Sequence, residues 1–102
     1  MVTTRTRQGD ILNVEGIAHP VIVVSNDFFN RSGKVIACPI VKKAAEGPLH
    51  IPARDLPVGG LVLCEQVRYL DLEVRRFSKI ATAHPLDIMD ISDAIASIFE
   101  HQ

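Results

Sequence analysis

Three side chains of this 102-residue chain are the candidates for transferring protons or holding an anion. Glu65 interrupts an apolar run, and an acid on a buried strand must be paired or act in chemistry. Arg68 follows three residues later, and its planar guanidinium matches the oxygens of a phosphate group. His19 stands directly before Pro20, and an imidazole can serve as an acid, a base or a cation. These types suit proton transfer beside a phosphate.

Each of the three residues also has a purely structural interpretation, which the sequence leaves open. Glu65 can point to solvent from the polar face of a strand, or it can pair with Arg68. Arg68 can form an ion pair with Asp71 or with Glu65. His19 can be a hydrogen-bonded histidine at the mouth of a strand.

Five further residues are suited to contacting a nucleic-acid strand. They are Asn26, Phe28, Lys42, Lys43 and Gln66. The adjacent lysines form the best phosphate-steering pair in the chain, although a solvated loop explains them equally well. The amide of Gln66 can read a base edge or satisfy backbone groups. Unpaired bases stack on aromatic rings, so Phe28 is a candidate stacking platform, whereas two neighbouring phenylalanines are more often part of a core.

The distribution of charge is more informative than the net charge of −1. Residues 84–102 contain four of the twelve acidic side chains and no Lys or Arg. The remaining chain therefore has eight acidic residues against eleven basic ones, a net charge of +3. A mildly basic body permits RNA binding without requiring it.

Neither a metal site nor a cofactor is predicted. The two cysteines, Cys38 and Cys64, lie in apolar runs, which favours buried, reduced thiols. With no third cysteine and four scattered histidines, the ligand spacing of a zinc site is missing from the sequence.

The sequence indicates a cytoplasmic protein without a membrane span. Its longest apolar stretch, residues 17–24, is interrupted by His19 and Pro20 and falls short of the roughly 20 residues that a span needs. The first eight residues are polar and basic, which differs from the apolar segment of a secretory signal.

The pattern of apolar residues predicts one domain over residues 1–102, mainly β, with a C-terminal helix. The predicted strands are 9–14, 20–25, 34–39, 49–52, 61–67 and 78–83, and residues 26–33, 42–47 and 56–60 are loops. From Pro85 to Phe99 the apolar positions 88, 91, 95 and 98 follow helical spacing. Short strands followed by one helix suggest a compact β-barrel capped by that helix. A chain this small gains from extra burial, so a homodimer is expected.

Four segments taken together resemble the MazF/PemK toxins of bacterial toxin–antitoxin pairs. They are GDI near the N-terminus, HPVIVVSNDFFNRSGKVIACPI, GGLVLCEQVRYLD and the final helix. The resemblance extends from Gly9 to Phe99, and it is most specific over residues 20–29, at Pro39 and over residues 60–71.

The resemblance implies a small SH3-like β-barrel, a homodimer, and a cognate antitoxin whose C-terminal segment threads the groove of the dimer. It also implies metal-independent cleavage of single-stranded RNA, in which a 2′-hydroxyl attacks the neighbouring phosphorus and leaves a cyclic phosphate. Glu65 falls where a related toxin has an acidic general base. The residues expected to act are therefore His19 as acid or charge stabiliser, Glu65 as base and Arg68 as clamp.

Two positions depart from the family's pattern. His19 stands where the family has an Arg before the second-strand proline, and Val41 stands where it has a Thr or Ser. An imidazole can replace the charge, but a valine side chain cannot donate a hydrogen bond. The alternative hypothesis is thus a non-catalytic binding module of the same fold. Such a module would resemble the gyrase-poisoning CcdB toxins or would only bind an antitoxin.

Overall fold

A computed structural model describes residues 6–54 and 59–101 of the chain. Over these residues it contains seven strands and two helices. In chain order they are β1 (Asp10–Val14), β2 (Val21–Val23), α1 (Asp27–Asn30), β3 (Lys34–Val41), β4 (His50–Pro52), β5 (Leu61–Leu63), β6 (Arg68–Asp71), β7 (Phe77–Thr82) and α2 (Pro85–Ile98).

The eight-residue strand β3 organises the sheet because it pairs with three other strands. Its first half pairs with β6 and its last two residues pair with β5. On its other side it pairs with β2, which continues to β1 and β7. All of these pairs are antiparallel, and the hydrogen-bonded order is β4-β5-β3-β2-β1-β7 with β6 beside β3. The strands β4 and β7 end this path, so the described sheet is open.

Apolar side chains form a core cluster on each side of the sheet, as the alternation of side chains along a strand requires. One cluster includes Leu12, Val21, Val35 and Leu70. The other includes Ile22, Cys38, Ile40 and Val62 and is covered by α2. Such burial stabilises the fold by about 1.5–3 kcal/mol for each large aliphatic side chain.

The predicted C-terminal helix is confirmed, and Ile88, Ile91 and Ile95 of its apolar stripe pack against the sheet. His84 is its N-cap and accepts a hydrogen bond from the Leu86 backbone N–H, and Pro85 occupies the first helical position. Ile91, which is 2% exposed, is the most deeply buried apolar residue of the helix. No helix within residues 6–54 and 59–101 is long and apolar enough to cross a membrane.

Strand boundaries depart from the prediction mainly where residues 61–67 were expected to form one strand. The structure ends β5 at Leu63 and begins a separate strand, β6, at Arg68. In β1, β2, β3, β4 and β7 the boundaries shift by one or two residues, and the expected loop 26–33 contains the short helix α1. Most of the expected turn at 56–60 lies outside the described residues.

Candidate active site

The chain between β5 and β6 leaves the sheet and exposes the candidate residue Glu65. Val62 pairs with Ile40 of β3, whereas Arg68 pairs with Ala37. Five residues therefore separate Val62 from Arg68, whereas only two residues of β3 separate Ala37 from Ile40. The extra residues form a turn, in which the Gln66 N–H donates a hydrogen bond of 3.1 Å to the Leu63 carbonyl. Glu65 and Gln66 are consequently exposed rather than aligned in a strand.

Glu65 is paired with a histidine that the sequence analysis did not single out. His50 lies in β4 opposite Leu63, and its Nε2 is 3.0 Å from Glu65 Oε2. Its Nδ1 faces the Ala45 carbonyl oxygen. The hydrogen bond to Ala45 and then the bond to Glu65 raise the pKa of His50, while the bond from His50 lowers the pKa of Glu65. Glu65 is thus ionised at neutral pH.

His19 lies exposed beside the C-terminal end of β3. Val21 pairs with Pro39, and the Ile40 N–H donates to the Pro20 carbonyl at 2.8 Å. Continuing this antiparallel register places His19 opposite Val41. No hydrogen bond or ion pair joins the His19 ring to another residue of the described ranges.

Val41 is half-buried at this end of β3, where it pairs with Leu61 of β5. Gly60 makes the close approach possible, because a Cβ there would lie 2.9 Å from the Val41 carbonyl oxygen. The φ angle of Gly60, +131°, is also one that residues with a side chain rarely adopt. An aliphatic group therefore occupies the position next to His19.

Arg68 reaches the same face of the sheet as His19, from the opposite side of β3. It pairs with Ala37, which shares a face of β3 with Val41, and paired residues project to the same side. Ala37 and Val41 are about 13 Å apart along an extended strand. Arg68 is exposed. The purely structural interpretation of Arg68 required an ion pair with Glu65 or with Asp71, and neither ion pair is present among the described residues.

The two lysines continue from β3 on the candidate site's side of the molecule. Lys42 and Lys43 directly follow Val41, and both side chains are exposed. They are therefore available to attract a phosphate backbone near the C-terminal end of β3.

Asn26 and Phe28 belong to a different part of the molecule. Asn26 caps α1, since its side-chain oxygen accepts a bond of 2.9 Å from the Phe29 N–H. Phe28 is 76% exposed, and the Arg31 guanidinium lies 5.5 Å from its ring centre. Their helix adjoins Ile36, because the Ser25 N–H before it bonds to the Ile36 carbonyl. Five residues of β3, or about 17 Å, separate Ile36 from Val41.

The two cysteines are free and fully buried, as predicted. Burial raises the pKa of Cys38 to about 12 and that of Cys64 to about 11, so both remain thiols near neutral pH. In the described ranges, no three His, Cys, Asp or Glu side chains come close enough together to hold a metal ion.

The pairing of His50 with Glu65 had no recognisable signal in the sequence. The two residues are fifteen positions apart, and they meet only because β4 pairs with β5 in a particular register. A histidine within the short segment LHIP indicated no more than a polar position on an edge strand.

Comparison with known proteins identifies a family and close structural neighbours. Residues 7–99 match the family described as PemK-like, MazF-like toxin of type II toxin–antitoxin system. A MazE–MazF complex from Deinococcus radiodurans contains a chain that is 24% identical, with a TM-score of 0.84 over 94% of this chain and 97% of that one. No curated protein matches the sequence significantly.

Two mycobacterial structures extend the similarity at lower sequence identity. An endoribonuclease is 18% identical, with a TM-score of 0.82 over 95% of this chain and 93% of that one. A second endoribonuclease, solved with its cognate antitoxin, is 20% identical, with a TM-score of 0.77 over 90% and 92% of the two chains. At these identities the likeness concerns the fold, and the family match covers nearly the whole sequence. The chain belongs to the PemK-like, MazF-like family of toxins of type II toxin–antitoxin systems.

Proposed function

We propose that this toxin is an endoribonuclease that cleaves single-stranded mRNA in the cytoplasm and thereby arrests growth. The observation that supports this most is that three exposed side chains, those of His19, Arg68 and Glu65, lie along β3 and on the turn that connects its partner strands β5 and β6. His19 and Arg68 are exposed on one face of the sheet, and the ionised Glu65 projects from the adjacent turn. Membership of a family of toxins with endoribonucleases among its structural relatives supports the same function.

The proposed reaction uses the chemistry of RNA itself. The 2′-hydroxyl oxygen forms a bond to the adjacent phosphorus, the bond from phosphorus to the 5′-oxygen breaks, and a cyclic phosphate and a free 5′-hydroxyl result. The protein must accept the proton of the 2′-hydroxyl, stabilise the added negative charge on the phosphorane, and supply a proton to the leaving oxygen.

Each candidate residue has one task in this reaction. Glu65 accepts the proton, because its carboxylate is ionised before substrate binds. Arg68 clamps the phosphorane oxygens through its guanidinium, which is free of any ion pair with Glu65 or Asp71. His19, in its protonated form, supplies positive charge or the proton for the leaving group.

The remaining candidates contact RNA outside the reacting phosphate. Lys42 and Lys43 attract the backbone beside the site, and Gln66 is exposed on the turn next to Glu65, where it can read a base edge. The exposed ring of Phe28 can stack on a base farther along the strand, with Asn26 fixing its helix.

A second function, a binding module without cleavage, is favoured by Val41. This half-buried aliphatic side chain offers no hydrogen bond where the family has a hydroxyl. In this alternative the chain acts by binding gyrase or only an antitoxin. RNA cleavage discriminates between the two functions.

The proposal includes a cognate antitoxin, a homodimer and an arrangement of the strands as a small SH3-like barrel. Relatives of the same fold have been solved in complex with antitoxins. Exposed apolar side chains on and after α2 offer area for a partner, and these are Leu86, Met89, Ile98 and Phe99. A chain of this length has little core of its own, so association adds useful burial.

We expect the free chain to be a homodimer at micromolar concentration. Light scattering should then give about twice the chain mass of 11.2 kDa. Replacing Phe99, which is 72% exposed, by Ser should shift the equilibrium toward the monomer, whereas Glu100→Ser should not. A mass of one chain at the highest attainable concentration would contradict the dimer.

RNA cleavage should proceed without divalent metal, because proton transfer and charge neutralisation are assigned to side chains. A labelled single-stranded RNA should be cut at the same rate in excess chelator as in magnesium. Glu65→Gln protein purified in parallel controls for contaminating nuclease and should be inactive, whereas Glu100→Gln should cleave normally. Cleavage that stops in chelator and returns with magnesium would show that the side-chain mechanism is wrong.

A further inference from the structure

Both ring nitrogens of His50 face oxygen atoms that can only accept hydrogen bonds. The Nδ1 atom bonds to the carbonyl oxygen of Ala45, and Nε2 lies 3.0 Å from a carboxylate oxygen of Glu65. A carbonyl and an ionised carboxylate have no proton to donate. Both bonds can therefore exist together only when each nitrogen carries a hydrogen, which is the imidazolium form of the ring.

The charges around this ring come almost entirely from Glu65. The Ala45 carbonyl raises the pKa of His50 most, and Glu65 acts on it next through the hydrogen bond and through its charge. Lys42, Lys43 and Glu46, on the segment that contains Ala45, are all exposed to solvent. From the side of β5, Cys64 adjoins Glu65 and remains a neutral thiol.

His50 connects two parts of the candidate site that are separate in sequence. Ala45 lies in residues 42–49, the segment that follows β3 and begins with the two lysines. Glu65 lies in the turn between β5 and β6. The His50 side chain is 19% exposed and that of Glu65 is 37% exposed, so the pair is partly shielded while its carboxylate is still accessible.

We propose that His50 is a positioning residue of this site, which orients the Glu65 carboxylate and fastens the lysine-bearing segment 42–49 beside it. The catalytic consequence rests on the proposed endoribonuclease function, whereas the ion pair is a property of the free protein. An imidazolium next to Glu65 keeps the candidate base ionised at lower pH than an isolated glutamate would allow. It also fixes the direction from which that base meets a substrate hydroxyl.

The ion pair can be tested without RNA by NMR of the imidazole nitrogens in the intact chain. At pH 6.5 an ordinary imidazole is about half protonated. We expect His50 to have both nitrogens protonated at this pH and to titrate at lower pH in the Glu65→Gln variant. The exposed His101 should give the same nitrogen signals in both proteins. A neutral His50 at pH 6.5, or a titration unaffected by Glu65→Gln, would overturn the proposal.

The positioning role can be tested by the pH dependence of RNA cleavage. In His50→Gln the amide still donates to Glu65 but brings no charge, so the pKa of Glu65 should rise and the acidic limb of kcat/KM should move to higher pH. In His50→Ala the orienting bond is lost as well, and kcat should fall by on the order of 10²-fold with a smaller change in KM. A folded His50→Gln variant with the wild-type pH profile would overturn the positioning role.

The two tests distinguish failure of this inference from failure of the proposed function. If the imidazolium is observed but the wild-type protein cuts no RNA, the endoribonuclease function fails and the positioning role is overturned with it. If the wild-type protein cuts RNA while His50→Gln leaves the pH profile unchanged, the function stands and only the role of His50 is wrong.

Discussion

Replacing His19 by Ala is expected to slow RNA cleavage by about 10²–10⁴-fold, the usual cost of losing a positioned acid or base. His19 is an exposed side chain, and the antiparallel register of β2 and β3 places it opposite Val41, which has no hydroxyl. If only the imidazolium form acts, kcat/KM should fall at alkaline pH, where an imidazole carries no charge. The measurement is the initial rate of cleavage of one labelled RNA as a function of pH.

The His19→Arg variant separates charge stabilisation from proton donation. A guanidinium keeps its charge throughout the accessible pH range, so this variant should remain active and lose the decline at high pH if His19 supplies charge. If His19 must release a proton, the His19→Arg variant should be about as inactive as the His19→Ala variant. His101→Ala, a change at another exposed histidine, should leave the rate unaltered. A fully active His19→Ala protein would remove His19 from the mechanism.

Where the apolar pattern was strongest, the sequence was sufficient to predict single elements, although not the closure of the sheet into a barrel. The continuous β-branched run after Pro20 and the helical spacing after Pro85 each produced an element in the expected place. The run from Leu61 to Val67 was misleading, because its composition resembles one strand. The break at Glu65 arises from register, since β5 and β6 pair with different halves of β3 and the intervening residues do not fit between them.

Single candidate residues were easier to predict than their partners. Glu65 was selected because an acid in an apolar run needs a partner or a task, and the structure does provide a partner. That partner is His50 rather than Arg68, and only the pairing of β4 with β5 brings it there. For the same reason Asn26 and Phe28 could not be separated from the lysines by inspection, since both groups simply follow strands in the sequence.

The side chain of Val41 has no hydroxyl, so the proposed mechanism lacks a hydrogen-bond donor at this position. Restoring it by Val41→Thr tests whether the position still faces the substrate, because valine and threonine have nearly the same shape. The half-buried environment beside Leu61 and Gly60 does not, however, suit a hydroxyl that has no partner. Val41→Thr should therefore raise the rate of RNA cleavage only if the substrate supplies a partner for the new hydroxyl.

A comparison of one RNA with its 2′-deoxy counterpart tests the central claim most directly. The cleaved RNA is resynthesised with a single 2′-deoxy nucleotide on the 5′ side of the scissile phosphate, and both strands are incubated with the wild-type chain. We expect the all-RNA strand to yield a product ending in a cyclic phosphate, and the substituted strand to resist at that position, because the nucleophile is missing. Equal cutting of both strands would contradict attack by the 2′-hydroxyl. A chain that cuts no member of a broad RNA library yet arrests growth when expressed would contradict the endoribonuclease function itself and favour the binding module.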